Sequence, residues 1–212
     1  MKHDYGAALV SASDECYTPL AWVERARDVL GAIDLDPASS TEAQAVVGAG
    51  RFFVLADDGL SKRWRGRVWL NCPYSRPGPW VEHLIGAYDR GDVSACVALF
   101  NSMTGARWFD AMARQAWRCE LRKRIAFYGP ATGGGPGMRD QVFFYLGARP
   151  ERFGAVFGEH GRILPPSVTL SVTGPGAVCS VCGRSLGGLR ADAVVCSHRC
   201  RSRAHRLRAA RA

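Results

Sequence analysis

The stretch RVWLNCPYSRPGPW, residues 67–80, changes character in its middle. Val68, Trp69 and Leu70 have the β-branched, aromatic and aliphatic content of a strand that runs into a core. Asn71, Cys72, Pro73 and Tyr74 then end it with an amide, a thiol, a ring-locked backbone and an aromatic face, and two more prolines follow. Such an ending is either a plain strand exit or the mouth of a site, because ligands of open α/β sheets sit at the carboxyl ends of strands. A second stretch of the same kind, LDPAS at 35–39, makes two plain exits a poor account.

The segments around these two alternate between strand and helix patterns. TPLAWVERARDVLGA (18–32) places Leu20, Val23, Ala26, Arg27 and Leu30 at helical spacing, with Thr18 as the cap and Pro19 in the first turn. AIDLD (32–36), RFFVL (51–55) and GRVWLN (66–71) read as strands, and STEAQAVV (40–47) as a short helix with a serine cap. GPWVEHLIGAYDRG (78–91) and GARWFDAMARQA (105–116) read as helices. VSACVALF (93–100) is almost continuously apolar, as expected of a strand covered on both faces. RIAFYG (124–129) and QVFFYLG (141–147) are expected strands joined by a glycine-rich loop without a helix, which suggests an antiparallel addition at one edge. The whole predicts an α/β layered domain with a mainly parallel sheet. We expect this domain over 1–160, a proline-rich linker over 161–177 and a cysteine-rich, basic module over 178–212.

Composition agrees with a globular chain. Hydrophobic residues make up 47% of 212 and charged residues 22%. No segment approaches the roughly 20 apolar residues that a membrane-spanning helix needs, and the amino-terminal stretch lacks a signal-peptide pattern. The expectation is a cytoplasmic protein with no membrane contact, and nothing in the sequence calls for an obligate protein partner. The net charge of +9 favours a polyanionic partner. Six of the last fourteen residues are arginine, which concentrates that charge at one end.

Cys179, Cys182, Cys196 and Cys200 form the pattern C-x2-C-x13-C-x3-C. Two closely spaced thiol pairs supply the four ligands that structural zinc prefers. A segment of about 34 residues is too small to hold a core of its own, so metal binding would supply its folding energy. The arrangement resembles the four-cysteine fingers found at the ends of many bacterial proteins, and the arginines beyond Cys200 are candidates for phosphate contact. A solvated basic tail is the alternative for them.

The chemistry of NCPY is specific. An exocyclic base amine is a poor nucleophile because its lone pair is delocalised into the ring. Acceptors that draw on its N–H bonds free that pair. The Asn71 side-chain oxygen and the Cys72 backbone carbonyl are two such acceptors, Pro73 stiffens the turn, and Tyr74 offers a face for a base turned out of its helix. The motif [DNS]-P-P-[YFW] marks amino-methyltransferases that use S-adenosylmethionine. The ordered set DECYTP, IDLDPASS, RFFVLADDGLSKRWRGRVWLNCPYS resembles the phage-type DNA N-6-adenine methyltransferase family over roughly residues 13–160.

That resemblance implies an abbreviated Rossmann-like methyltransferase fold and a methyl group moved from S-adenosylmethionine to a flipped-out adenine in DNA at specific sites. Asn71, Cys72, Pro73 and Tyr74 would then be the catalytic set. Tyr17, Thr18, Pro19, Asp34, Asp36, Pro37 and Ala38 would line the cofactor site, and Asp57 or Asp58 would reach the cofactor's adenosine. The chain departs from the pattern at Cys72, which stands where the family has proline, and in lacking a glycine-rich cofactor loop. About 30 residues separate the two key strands, so the sheet must be abbreviated between them. Methylation of cytosine N4 or another amine, or a zinc-containing DNA-binding protein with an inactive methyltransferase domain, are the alternative readings.

Overall fold

The structure is a computed structural model that describes residues 16–129, 139–167, 179, 181–182, 195–197 and 200. The chain divides into two units, Met1–Ser167 and Val168–Ala212. In the first unit the elements are α1 (Leu20–Leu30), β1 (Leu35–Asp36), α2 (Thr41–Val47), β2 (Arg51–Phe52), β3 (Gly66–Leu70), α3 (Pro77–Asp89) and β4 (Val93–Asn101). They continue with α4 (Arg107–Gln115), β5 (Trp117–Leu121), β6 (Gln141–Leu146), α5 (Pro150–Phe157) and β7 (Gly161–Leu164).

The described strands form one sheet in the order β2-β1-β3-β4-β6-β5-β7. The first four run parallel. β6 is antiparallel to both β4 and β5, and β7 is antiparallel to β5. β5 therefore points with the first four strands, while β6 and β7 oppose them. This is a mixed α/β, Rossmann-like sheet.

Side-chain alternation along the strands builds a core on each face. Val68, Leu70, Cys96, Ala98, Phe100, Val142 and Phe144 pack with residues of α3 and α4. Trp69, Val97, Leu99, Phe143 and Tyr145 pack with residues of α1 and α5 on the other side. Successive residues of a strand point to opposite faces, so a strand covered by helices on both sides must be apolar throughout. That explains the unbroken apolar run in β4 and the six buried residues of β6. α2 begins as the sequence indicates, with the Ser40 hydroxyl accepting from the Ala43 backbone N–H at 3.1 Å.

Several expectations need correction. Thr18 does not cap α1: the helix starts at Leu20 after Pro19, with no side-chain cap, and the Thr18 hydroxyl instead accepts a hydrogen bond from Asn71. Leu20, counted on the buried face, is 54% exposed, and Val29 takes its place in the core. β6 pairs antiparallel with β4 and with β5, residues 117–121, and not with 124–129. Within 124–129 the backbone makes an isolated bridge, Tyr17 to Tyr128. β7 shows that the sheet runs past residue 160, into the segment expected to be linker. The abbreviation expected between the two key strands is visible as β1 and β2 of two residues each. The glycine-rich loop and the basic tail beyond Cys200 lie outside the described residues. Among those residues no helix is long and apolar enough to cross a membrane.

Candidate active site

From β1 the chain passes to β2 on one side and then to β3 on the other. The sheet order reverses between β1 and β3, which is where open α/β sheets bind their ligands. A cleft of about 240 Å³ opens there. One wall is the turn after β1, with Asp36, Pro37, Ala38, Ser39 and Ser40. Another is the turn after β3, with Asn71, Cys72, Pro73 and Tyr74. Phe53, Val54 and Leu55 after β2 supply an apolar side, and Cys16, Tyr17 and Thr18 close the space ahead of α1.

Asn71 is the most informative of these residues. Its Nδ2 donates to the Cys16 carbonyl at 3.3 Å and to Thr18 Oγ1 at 3.2 Å. A carbonyl can only accept, so the amide nitrogen must face that way. The opposite atom, Asn71 Oδ1, is buried and has no hydrogen-bond partner among the described residues. Buried acceptors without partners are rare because each costs about 1–3 kcal/mol. One placed in a cleft wall is therefore a candidate ligand contact.

The neighbours of Asn71 divide their side chains and backbones between core and cleft. The Cys72 thiol is 3% exposed and packs in the core on the α3 and α4 side. A sulfhydryl of that size therefore fits where the family motif has proline. The Tyr74 ring lies edge-on to Phe127, centroids 5.9 Å apart. Its hydroxyl is buried without a hydrogen-bond partner among the described residues, and burial pushes the phenol well above its usual range.

The acids separate into two pairs. Asp36 lines the cleft and is 2% exposed. Its Oδ1 accepts from the Ala38 N–H at 3.3 Å and its Oδ2 from Gln44 Nε2 at 3.0 Å. Burial nevertheless pushes its carboxyl up to about 6, because hydrogen bonds from Ser39, Ala38 and Gln44 only partly offset the loss of water. Asp58 also lines the cleft, at a left-handed φ of 51°. The next residue, Gly59, approaches the Asp-Pro turn so closely that a Cβ on it would lie 2.0 Å from the Pro37 carbonyl oxygen. The Asp-Asp-Gly turn is thus docked on the Asp-Pro turn, and the buried Trp64 holds it by donating to the Gly59 carbonyl at 2.8 Å.

Asp34, Asp57 and Pro19 are not among the residues that line the cleft. Asp57 closes its own turn by accepting from the Val54 N–H at 2.9 Å. Asp34 makes a bidentate pair with Arg67, at 2.7 and 2.8 Å, and also accepts from the Arg67 backbone N–H. The Arg67 guanidinium holds the Asp34 carboxyl below the usual carboxylate range. Both partners are partly exposed, so the pair stabilises by no more than about 1 kcal/mol. Asp34→Asn should lower the melting temperature slightly and leave cofactor affinity unchanged, as calorimetry on the same sample would show.

Sequence reading missed Gln44. Its Nε2 also donates to Ser39 Oγ at 2.7 Å, and its Oε1 accepts from the Ala49 N–H at 2.9 Å. The available signal was a polar residue on the inner face of α2, one helix away from an acid at a strand end. Tyr128 was missed as well: it lines the cleft and bridges to Tyr17, with no local signal for either.

In the second unit, Cys179, Cys182, Cys196 and Cys200 are free thiols whose sulfurs all lie within 4.8 Å of one another. A tetrahedron of thiolates about 2.3 Å from a zinc ion has sulfur–sulfur edges of about 3.8 Å, so the donor set fits zinc in number, type and spacing. The Ser197 hydroxyl accepts from the Cys200 backbone N–H at 3.3 Å, which fixes the turn between the second pair.

The Rossmann-like sheet thus carries a cleft at its switch point, with an Asn-x-Pro-Tyr turn in the wall. The family model described as DNA N-6-adenine-methyltransferase (Dam) matches residues 7–138. That is more than half of the chain, and the chain belongs to this family. It is therefore, in general terms, a DNA adenine methyltransferase. No curated protein matches the chain significantly.

Proposed function

We propose that the protein transfers a methyl group from S-adenosylmethionine to the N6 amine of an adenine turned out of a DNA duplex at specific sites. The observation that carries this reading is the buried, unpartnered Oδ1 of Asn71 in the cleft wall.

The cleft suits the cofactor. S-adenosylmethionine carries an ammonium and a sulfonium, and the buried Asp36 carboxylate is a fitting partner for such a cation. The apolar side at Phe53, Val54 and Leu55 suits its adenine ring, and Asp58, which also lines the cleft, would accept from its ribose. When bound, the cofactor supplies an electrophilic methyl group.

The protein's own groups then act on the substrate amine. Asn71 Oδ1 accepts one N–H and the Cys72 backbone carbonyl the other, which makes the nitrogen lone pair available for attack. Pro73 keeps the two acceptors at a fixed separation. Tyr74 supports the plane of the base, and its own ring is held by Phe127.

The four cysteines of the second unit are proposed to hold one structural zinc ion, and this module with its arginines to add phosphate contacts. Metal analysis of the purified protein should find about one zinc per chain, lost in Cys179→Ser, with DNA affinity reduced and more steeply salt-dependent DNA binding in the parent than in the variant. Zinc content equal in parent and variant would contradict this.

The reading is tested with methyl-labelled S-adenosylmethionine and three acceptors: unmethylated duplex DNA, RNA and protein. Label should enter DNA alone. Label in RNA or protein would replace the substrate class.

A further inference from the structure

We infer that the Cys16 carbonyl and Thr18 are a positioning pair, the carbonyl setting the Asn71 amide with its oxygen toward the substrate and the Thr18 hydroxyl holding it there, and that they so restrict the site to amino-bearing bases. The inference rests on the reading of Asn71 as the amine acceptor.

An asparagine side chain has two nearly isosteric faces, an acceptor and a double donor, and a turn of the amide exchanges them. The two faces select opposite substrates. With the oxygen outward the site accepts from N–H groups and suits the exocyclic amine of adenine or cytosine. With the nitrogen outward it donates, and suits the keto oxygens of guanine or thymine. Nothing in the Asn-x-Pro-Tyr turn by itself chooses between them.

The segment ahead of α1 makes the choice. The Cys16 carbonyl, 3.3 Å from Asn71 Nδ2, would face a second acceptor if the amide turned over. Thr18 Oγ1 takes the same nitrogen at 3.2 Å. Thr18 is 5% exposed, so water does not replace it readily. The segment is itself held on both sides. Tyr17 exchanges backbone hydrogen bonds of 2.7 and 3.2 Å with Tyr128, and their rings meet edge-on. On the other side Pro19 opens α1, its carbonyl accepting from Trp22 at 2.9 Å. A proline after Thr18 also favours the extended backbone that keeps Thr18 out of the helix and facing Asn71.

The same geometry explains why the strand ends in asparagine here, although the motif admits aspartate. A carboxylate at position 71 would set one of its oxygens against the Cys16 carbonyl.

Three variants test the lock: Thr18→Val, which keeps the shape and removes the acceptor, Thr18→Ser, which restores it, and Asn71→Asp. In Thr18→Val the rate at saturating cofactor should fall about 10- to 100-fold, the scale for disturbing one preorganised polar contact. The dissociation constant for S-adenosylmethionine and the melting temperature should change little, and Thr18→Ser should recover most of the rate. Asn71→Asp should also be slow. A readout independent of activity is the side-chain amide of Asn71 in nitrogen-15 NMR spectra, assigned by its loss in Asn71→Ala. Its protons should exchange slowly in the parent and in Thr18→Ser, and faster in Thr18→Val. An unchanged rate and unchanged exchange in Thr18→Val would overturn the inference. A rate loss that vanishes at saturating cofactor would reduce Thr18 to a cofactor contact. If the parent protein transfers no methyl group at all, the functional reading fails, while the exchange rates still decide the lock.

Discussion

Asn71→Ala should lower the methyl-transfer rate by about a thousandfold, the upper range for removing one preorganised transition-state contact, while S-adenosylmethionine affinity stays within about threefold of the parent. Alanine has no acceptor for the substrate N–H, so the amine keeps its lone pair in conjugation. The split between rate and affinity is the informative part. Asn71 meets the substrate amine, whereas the proposed cofactor contacts, Asp36 and the apolar side after β2, sit on the other walls of the cleft. The fold should survive with a modest loss of stability, because Asn71 lies just beyond β3 and only its two Nδ2 hydrogen bonds, to Cys16 and Thr18, are lost, while Tyr17 stays paired with Tyr128. Single-turnover kinetics and calorimetry on the same preparations read both quantities. A variant that lost affinity and rate in equal measure would place Asn71 in the cofactor site instead.

Asp36→Asn is the second large effect, and it should act in opposite directions on binding and on the free protein. Removing one partner of a buried charge pair costs about 2 kcal/mol or more, so affinity for the cationic cofactor should fall at least about 30-fold. The free protein should respond otherwise to pH. The Asp36 carboxyl titrates near 6 when folded and from a reference value of 3.8 when unfolded. The folded state therefore holds the proton over that interval and the unfolded state does not. Stability is full below the lower value and falls as pH rises through the upper one, by as much as about 3 kcal/mol. Asp36→Asn has no proton to lose, so its stability should be flatter across pH 4–6, as denaturant melts at a series of pH values would show. Saturating cofactor should flatten the parent's curve too, since a bound cation favours the ionised carboxylate. A parent curve that is already flat without cofactor would contradict the assignment of Asp36 as a buried, reluctantly ionised acid.

The residues that carry the fold were legible where one pattern had one cause. The unbroken apolar run of β4 needs two covered faces, and the structure covers both. Ser40 caps α2 as the sequence indicates, its hydroxyl accepting from the Ala43 N–H three residues on. The pattern misled where it reports burial without naming a backbone partner. Ile125 and Phe127 alternate as a strand would and are both buried, yet the Ile125 N–H goes to the Gln141 side chain at 2.9 Å. The ladder forms instead through Trp117, Cys119 and Glu120, a run in which charged residues obscure the alternation.

The site shows the same division. NCPY and DPAS were visible as strand-end chemistry, YT came only with the family resemblance, and the structure gathers all three around one cleft. The four acids could not be sorted by sequence, because Asp34 and Asp36 lie two residues apart, on one face of an ideal strand, and only the structure shows that β1 holds Asp36 and not Asp34. Asp34 meets Arg67, 33 residues away, while Asp36 turns into the cleft. Thr18 illustrates the limit most clearly. A threonine before proline and a helix fits a cap, and only the tertiary position of Asn71, 53 residues on, gives its hydroxyl a different partner.

The most direct test of the account is the identity of the modified base. Unmethylated DNA incubated with the protein and S-adenosylmethionine, then digested to nucleosides and analysed by mass spectrometry, should contain N6-methyladenine, absent when Asn71→Ala replaces the parent. DNA that is bound by the parent yet carries no methylated amine on any base would contradict it.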